Sequence, residues 1–138
     1  AETSDGRSRL FPSAEALASA DLTAIGLPRA RARTVSLLAQ RVADGELRLD
    51  PPVDREAVRT ALTEIPGIGE WTAGYVAMRA LGDRDAYPVG DLVLRRAAAT
   101  GATPLTTREL ARRSQSWRPW RAYATLYLWR AAAARSAR

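Results

Sequence analysis

The sequence predicts an all-α fold, and three observations carry that prediction. No segment alternates apolar and polar residues with the period of two that a half-buried strand requires. Apolar residues recur instead at helical spacing, as at Val58, Ala61, Leu62 and Ile65. The periodic runs are also bounded by capping and turn residues, with Ser13, Asp54 and Asp91 at starts and Gly26 and Gly45 at stops.

Taken in order, residues 1–10 read as a disordered or extended leader and 11–138 as the folded part. FPSAEALASA opens a short helix with Ser13 as its N-cap. Gly26 ends the DLTAIG segment. LPRARARTVSLLAQRVADG then reads as a helix with Pro28 near its first turn, where a missing N–H costs nothing. Its Ala30, Val35, Leu38 and Val42 fall on one face, and Gly45 stops it. ELRLDPPVD is a loop, and Asp54 caps the helix that carries Val58 to Ile65. PGIG interrupts the helical pattern, which resumes over 70–81. GDRDAYPVG is rich in turn residues. A further helix starts near Asp91, and 101–107 form a loop. TRELARRSQ is a short helix, and Pro119 opens a last one running into the Ala-rich end. There is no internal repeat and no low-complexity linker.

Composition narrows the chemistry. The 138 residues are 46% hydrophobic, enough for one core, with no run of 18 apolar residues to span a membrane and no signal-peptide stretch. There is no Cys, which excludes disulfides, thiolate metal sites and cysteine-held iron–sulfur clusters. There is no His, so no imidazole base. All 21 Lys+Arg residues are Arg, so no side-chain amine can form a Schiff base. The net charge of +6 favours a polyanionic partner such as nucleic acid.

The most informative stretch is EIPGIGEWTAGYVA, residues 64–77. Gly67 and Gly69 permit a tight turn and close approach of another group. The helix that follows opens on free N–H groups and a partial positive charge, which together suit an anion. The same turn could equally be an αα corner that binds nothing. Beyond it, Ala73, Val76, Ala77 and Ala80 form a small-residue stripe fit for close helix packing. Trp71, Tyr75 and Met78 form a second stripe, readable as core or as an aromatic surface. Asp91, just after Gly90, is open to two roles that can coexist, a helix N-cap and a functional carboxylate.

IPGIGEWTA resembles the hairpin of the HhH-GPD superfamily of DNA glycosylases: an apolar residue, Pro-Gly, an apolar residue, Gly, two residues and Thr-Ala. Ile65, Pro66, Gly67, Ile68, Gly69, Thr72 and Ala73 supply it. YPVGDLVLRR, residues 87–96, resembles that family's segment with the catalytic aspartate. SWRPWRAYATLYLW, residues 116–129, and FPSAEALASADLTAIGLPRARARTVSLLAQ are similar to its 3-methyladenine DNA glycosylase II branch. The resemblance covers about Phe11 to Trp129.

It implies a helical HhH-GPD base-excision glycosylase domain with the hairpin at 65–73 and its N-terminal portion lacking. It implies Asp91 as the catalytic carboxylate and Trp71, Tyr75, Val93 and Trp129 as walls of a base pocket. It implies Gly67, Gly69 and Thr72 as the phosphate-holding hairpin, with a monovalent cation on hairpin carbonyls, no side-chain metal site and no cofactor. Arg95, with Arg96, Arg118 and Arg121, is placed to meet phosphates. Arg112 and Arg113 read as surface, and Arg29, Arg31 and Arg33 do not share one helical face. The partner implied is double-stranded DNA with alkylated bases, and not a membrane. The reaction implied is monofunctional hydrolysis of the N-glycosidic bond of alkylated purines such as 3-methyladenine, in the bacterial cytoplasm at the nucleoid. Trp71 stands where strand-cleaving members keep a Lys. A non-catalytic helix-hairpin-helix DNA-binding module, or an inactive glycosylase fragment, is the alternative.

Two features depart from the family pattern. Glu70 puts a carboxylate beside the hairpin glycines, which suits the helix but not a phosphate. The chain also begins late, so an N-terminal half or a fused alkylation-response domain is expected in the complete protein.

Overall fold

The computed structural model describes residues 10–50 and 52–136, and among them there is helix but no strand. The expected leader lies outside these residues except for Leu10, which is exposed. Seven α-helices follow in order: α1 (Ala14–Ser19), α2 (Arg29–Ala43), α3 (Arg55–Thr63), α4 (Glu70–Arg79), α5 (Leu92–Ala97), α6 (Thr107–Arg113) and α7 (Arg121–Ser136), with a 3-10 turn at Ser114–Trp117 between the last two.

Local chemistry sets the starts. The Ser13 hydroxyl accepts from the Ala16 N–H at 3.3 Å. The Asp54 carboxylate accepts from Glu56 and Ala57 N–H at 3.0 and 3.1 Å. Thr106 and Glu109 form a reciprocal capping box on α6, satisfying two donors that would otherwise be orphaned. Gly45, just past α2, takes the left-handed φ of 75° typical of helix stops. The last helix begins at Arg121, two residues after Pro119.

Two clusters form the core. Leu47, Val58, Leu62, Ile65, Ile68, Ala73, Ala77 and Leu81 join α3, the hairpin and α4. Tyr87, Leu94, Ala98 and Leu110 join the 87–90 loop, α5 and α6, with Leu128 of α7 against them. α1 packs on α2, α3 on α4, and α5 on α7. The face of α2 expected from its periodicity is displaced. Ala30 is exposed and the fully buried positions are Ala32 and Ala39, with Val35, Leu38 and Val42 half-buried. Leu37, Leu38 and Val42 pack against the core cluster, and α1 packs on the same helix.

The two stripes on α4 separate as their sizes suggest. Ala73 and Ala77 are buried, letting α4 approach its neighbours closely, while Ala80 at the helix end is exposed. Met78 is core. Trp71 and Tyr75 are not: they remain 43% and 36% exposed. A large apolar pair left in water at a helix start calls for an explanation beyond packing.

Candidate functional site

Asp91 is the N-cap of α5, and its Oδ1 accepts from the Leu94 N–H at 2.6 Å. The same oxygen accepts from Trp129 Nε1 at 3.0 Å. Its Oδ2 accepts from Trp71 Nε1 at 2.9 Å. One carboxylate therefore ties together α4, α5 and α7. A carboxylate offers about four acceptor positions, so three are filled and one, on Oδ2, stays open.

The indoles and Tyr75 form a continuous aromatic face. Trp71 and Tyr75 stack with centroids 5.4 Å apart and planes within 9°. Tyr75 and Trp129 are 6.1 Å apart and tilted by 37°. Val93 is 45% exposed and Leu92 44%, so the first turn of α5 adds apolar surface. The expected pocket residues Trp71, Tyr75, Val93 and Trp129 are thus placed around or beside Asp91, on a surface that is open and not enclosed.

Two backbone contacts set this spacing. A Cβ on Gly74 would lie 2.6 Å from the Tyr87 carbonyl oxygen, so α4 and the 87–88 backbone touch directly. The adjoining 82–90 loop is tied to α7. Asp85 accepts from Arg121 Nε and NH2 at 2.8 and 2.9 Å, and pairs with Arg118 Nε at 2.9 Å. The Ala122 N–H donates to the Arg84 carbonyl at 3.0 Å. Desolvation pushes the Asp85 carboxyl up, but the Arg121 hydrogen bonds and the charges of Arg121 and Arg118 outweigh it and hold the carboxyl below its usual range. Arg121 and Arg118 were expected near phosphates. Arg121 is instead an internal tie, with its guanidinium also 5.2 Å from the Tyr87 ring, and Arg118 is paired to the same carboxylate. Arg95 is half-buried, and its Nε donates to the Leu105 carbonyl.

The hairpin is built around Gly67. Its φ is 94°, which only glycine adopts without strain. A Cβ there would meet the Thr34 hydroxyl at 2.3 Å. That hydroxyl donates to the Pro66 carbonyl at 2.7 Å, fixing the turn to α2. Gly69 differs: its φ of −99° is ordinary, and a Cβ there would meet nothing. What Gly69 leaves is open space in front of the start of α4. Among the described residues, the N–H groups of Gly69, Glu70, Trp71 and Thr72 meet no acceptor, and α4 has no side-chain cap. A shallow cleft of about 420 Å³ runs beside the turn, lined by Ala30, Arg33, Thr34, Pro66 and Gly67.

Glu70 does not fold back onto these donors. It pairs with Arg59 of α3, whose Nε and NH2 also grip Glu56 at 3.3 and 3.0 Å. The hydrogen bond to Glu56 and, against a desolvation cost, the charge of Glu70 raise the Arg59 pKa above its ordinary value.

Sequence reasoning missed Thr34, Arg59, Asp85, Arg33 and Gly74. Only Gly74 carried a local signal, a lone glycine inside a helix, which commonly marks a close contact. Among the described residues no cluster of acidic side chains could hold a metal ion, and no helix is long and apolar enough to cross a membrane.

No family model matches the chain. Among curated proteins it is 47% identical over 119 residues to a probable bifunctional transcriptional activator/DNA repair enzyme AlkA of Mycobacterium tuberculosis, covering 86% of this chain and 24% of that protein. It is 38% identical over 122 residues to DNA-3-methyladenine glycosylase 2 of Escherichia coli, covering 86% and 42%. The chain thus spans less than half the length of these relatives. Among solved structures, the Schizosaccharomyces pombe 3-methyladenine DNA glycosylase Mag1, in complex with abasic DNA, matches with a TM-score of 0.74 at 26% identity, over 86% of this chain and 62% of that one. A DNA-3-methyladenine glycosidase from Bacillus halodurans matches with a TM-score of 0.71 at 29% identity, over 88% and 60%. By sequence and by fold, the chain is homologous over part of their length to the 3-methyladenine glycosylases of the helix-hairpin-helix superfamily.

Proposed function

We propose that the protein carrying this segment is a monofunctional DNA glycosylase that hydrolyses the N-glycosidic bond of alkylated purines such as 3-methyladenine. The observation that carries this reading is the Asp91 carboxylate, held by the Trp71 and Trp129 indoles beside an exposed Trp71–Tyr75 stack. A DNA-binding module has no use for such a fixed carboxylate in an aromatic setting.

The steps follow from the parts. The damaged nucleotide leaves the duplex at a cost of a few kcal/mol. Tyr75 covers one face of Trp71, and the other receives the base. Ring alkylation gives the base a positive charge, and each electron-rich indole face attracts it by about 0.5–2 kcal/mol. The same charge makes it a good leaving group. As the bond to C1′ breaks, positive charge grows on the sugar. Asp91 meets it as a preoriented negative charge; the bond electrons leave with the base, and the open position on Oδ2 takes the proton that the attacking water gives up as its oxygen bonds C1′. Because three donors hold the carboxylate still, it stabilises the transition state without having to reorient.

The Gly69, Glu70, Trp71 and Thr72 amides, with Thr72, Gly67 and Arg33, hold a backbone phosphate. Arg95 supports the loop after α5, with its terminal nitrogens left for a second phosphate. A monovalent cation would be held there by hairpin carbonyl oxygens, of which those of Ile65, Pro66 and Gly69 already each accept a hydrogen bond, from Ile68, Thr34 and Ala73. When bound it would add positive charge near the phosphate. The setting proposed is the bacterial cytoplasm, at the nucleoid.

The test is release of free base from methylated duplex DNA. Asp91-dependent release, lost in Asp91→Asn while duplex binding persists, supports the reading. Release by Asp91→Asn at the unsubstituted rate overturns the catalytic assignment. DNA binding with no release at all favours the binding module.

A further inference from the structure

We infer that Arg59 is a positioning residue for DNA binding, which keeps the Glu70 carboxylate off the amide face of the hairpin; the inference rests on the DNA reading above. Glu70 is the first residue of α4, directly beside the open N–H groups of Gly69, Trp71 and Thr72. A carboxylate in that position has two ways to block a phosphate. It can turn back and accept from the free amides itself, as acidic residues in a first turn do. It can also stay nearby and repel the incoming anion.

The structure shows neither. No side chain caps α4, and the Glu70 carboxylate is directed to Arg59 of the preceding helix. Arg59 is itself braced on the far side by both carboxylate oxygens of Glu56, one turn earlier on α3. The guanidinium therefore has a fixed address before Glu70 reaches it. Its fork geometry serves two carboxylates at once, and it stays charged at every physiological pH.

All three side chains are solvent-exposed in large part, at 37% for Arg59, 58% for Glu70 and 74% for Glu56. Pairs this exposed contribute little to folding, so stability does not account for the triad. Its effect on the hairpin does. Arg59 cancels the Glu70 charge and draws it toward α3, and the amide face is left with its partial positive charge unopposed.

The experiment is a double-mutant cycle on the full chain. Affinity is measured by fluorescence anisotropy for a labelled duplex with a stable abasic-site analogue, at low and high salt. We expect Arg59→Gln to weaken binding by about three- to tenfold at low salt, with the gap closing as salt screens the freed carboxylate. Glu70→Gln is expected to bind at least as tightly as the unsubstituted chain. Arg59→Gln combined with Glu70→Gln is expected to match Glu70→Gln alone, since no carboxylate remains to be held. Circular dichroism verifies that each variant keeps its helix content. Unchanged affinity in Arg59→Gln overturns the inference. So does a double variant as weak as Arg59→Gln, which would make Arg59 a direct DNA contact or a folding residue. If the unsubstituted chain binds no duplex, the DNA reading fails, and the inference with it.

Discussion

Trp129 and Asp91, 38 residues apart in the chain, are joined by a 3.0 Å hydrogen bond from the indole Nε1 to Oδ1. With Trp71 donating to the other oxygen, the carboxylate is held between two indoles whose ring faces remain part of one aromatic surface. The nitrogen edges of the rings thus orient the acid while the Trp71 face turned away from Tyr75 stays free.

Removing either donor while keeping a ring separates those two roles. Trp129→Phe and Trp71→Phe each delete a hydrogen bond to a charged group, worth about 1.5–3 kcal/mol. Single-turnover excision is expected to slow by about ten- to a hundredfold in each. Binding of an abasic-site duplex should change much less. A rate equal to that of the unsubstituted protein would detach the indoles from the chemistry.

The two hairpin glycines should respond differently to alanine. Gly67→Ala forces a left-handed φ and a clash with the Thr34 hydroxyl, costing about 1–3 kcal/mol in urea unfolding. Gly69→Ala has ordinary φ and no clash, so its stability loss should stay below about 1 kcal/mol. Its methyl would nevertheless occupy open space at the start of α4, where the proposed phosphate would approach, and duplex affinity should fall. Equal stability losses in the two variants would contradict this division.

Asp85 gives the fold a defined acid sensitivity. Its carboxyl is held below the usual range in the folded chain, so its stabilising contribution is complete above the unfolded value of about 3.9 and is lost as pH falls through the lower folded value. Asp85→Asn leaves the half-buried Arg121 without its partner and should cost about 2–3 kcal/mol at pH 7, less than a fully buried pair because Arg118 stays largely solvated. The difference between the two proteins should shrink progressively as pH falls below about 3.9. Thermal melts across pH 2–7, a range chosen to bracket about 3.9, would show this directly.

Arg33 should act through charge alone. Arg33→Ala is expected to weaken duplex binding about equally across sequences and to reduce the slope of log affinity against log salt by about 1. An unchanged slope would place Arg33 outside the phosphate contacts.

Much of this organisation is legible in the sequence because it is local. The caps at Ser13, Asp54 and Asp91 sit within three residues of the amides they serve. The break at PGIG and the shared face of Trp71 and Tyr75 follow from glycine chemistry and helical spacing, whereas the exposure of that pair is visible only in the structure. The features that escaped are pairings between distant residues. Thr34 reaches Pro66 across 32 positions and Arg121 reaches Asp85 across 36, and neither leaves a periodic trace. Arg118 and Arg121 look like any other cations until their partner is seen. On α2 the buried positions are Ala32 and Ala39, not Ala30, which the apolar spacing alone does not indicate. Candidate residues carried by a local motif are readable in the sequence, whereas the distant residues that orient them are not.

The placement of Asp91 at the meeting point of α4, α5 and α7 has a consequence for the order of assembly. A chain in which α7 has not docked carries an aspartate that merely starts a helix, with one of its indole donors far away. The carboxylate reaches its final setting only when α7 closes over α5. The three-donor setting of Asp91 is therefore a property of the whole fold, absent from any copy in which α4, α5 and α7 have not yet met.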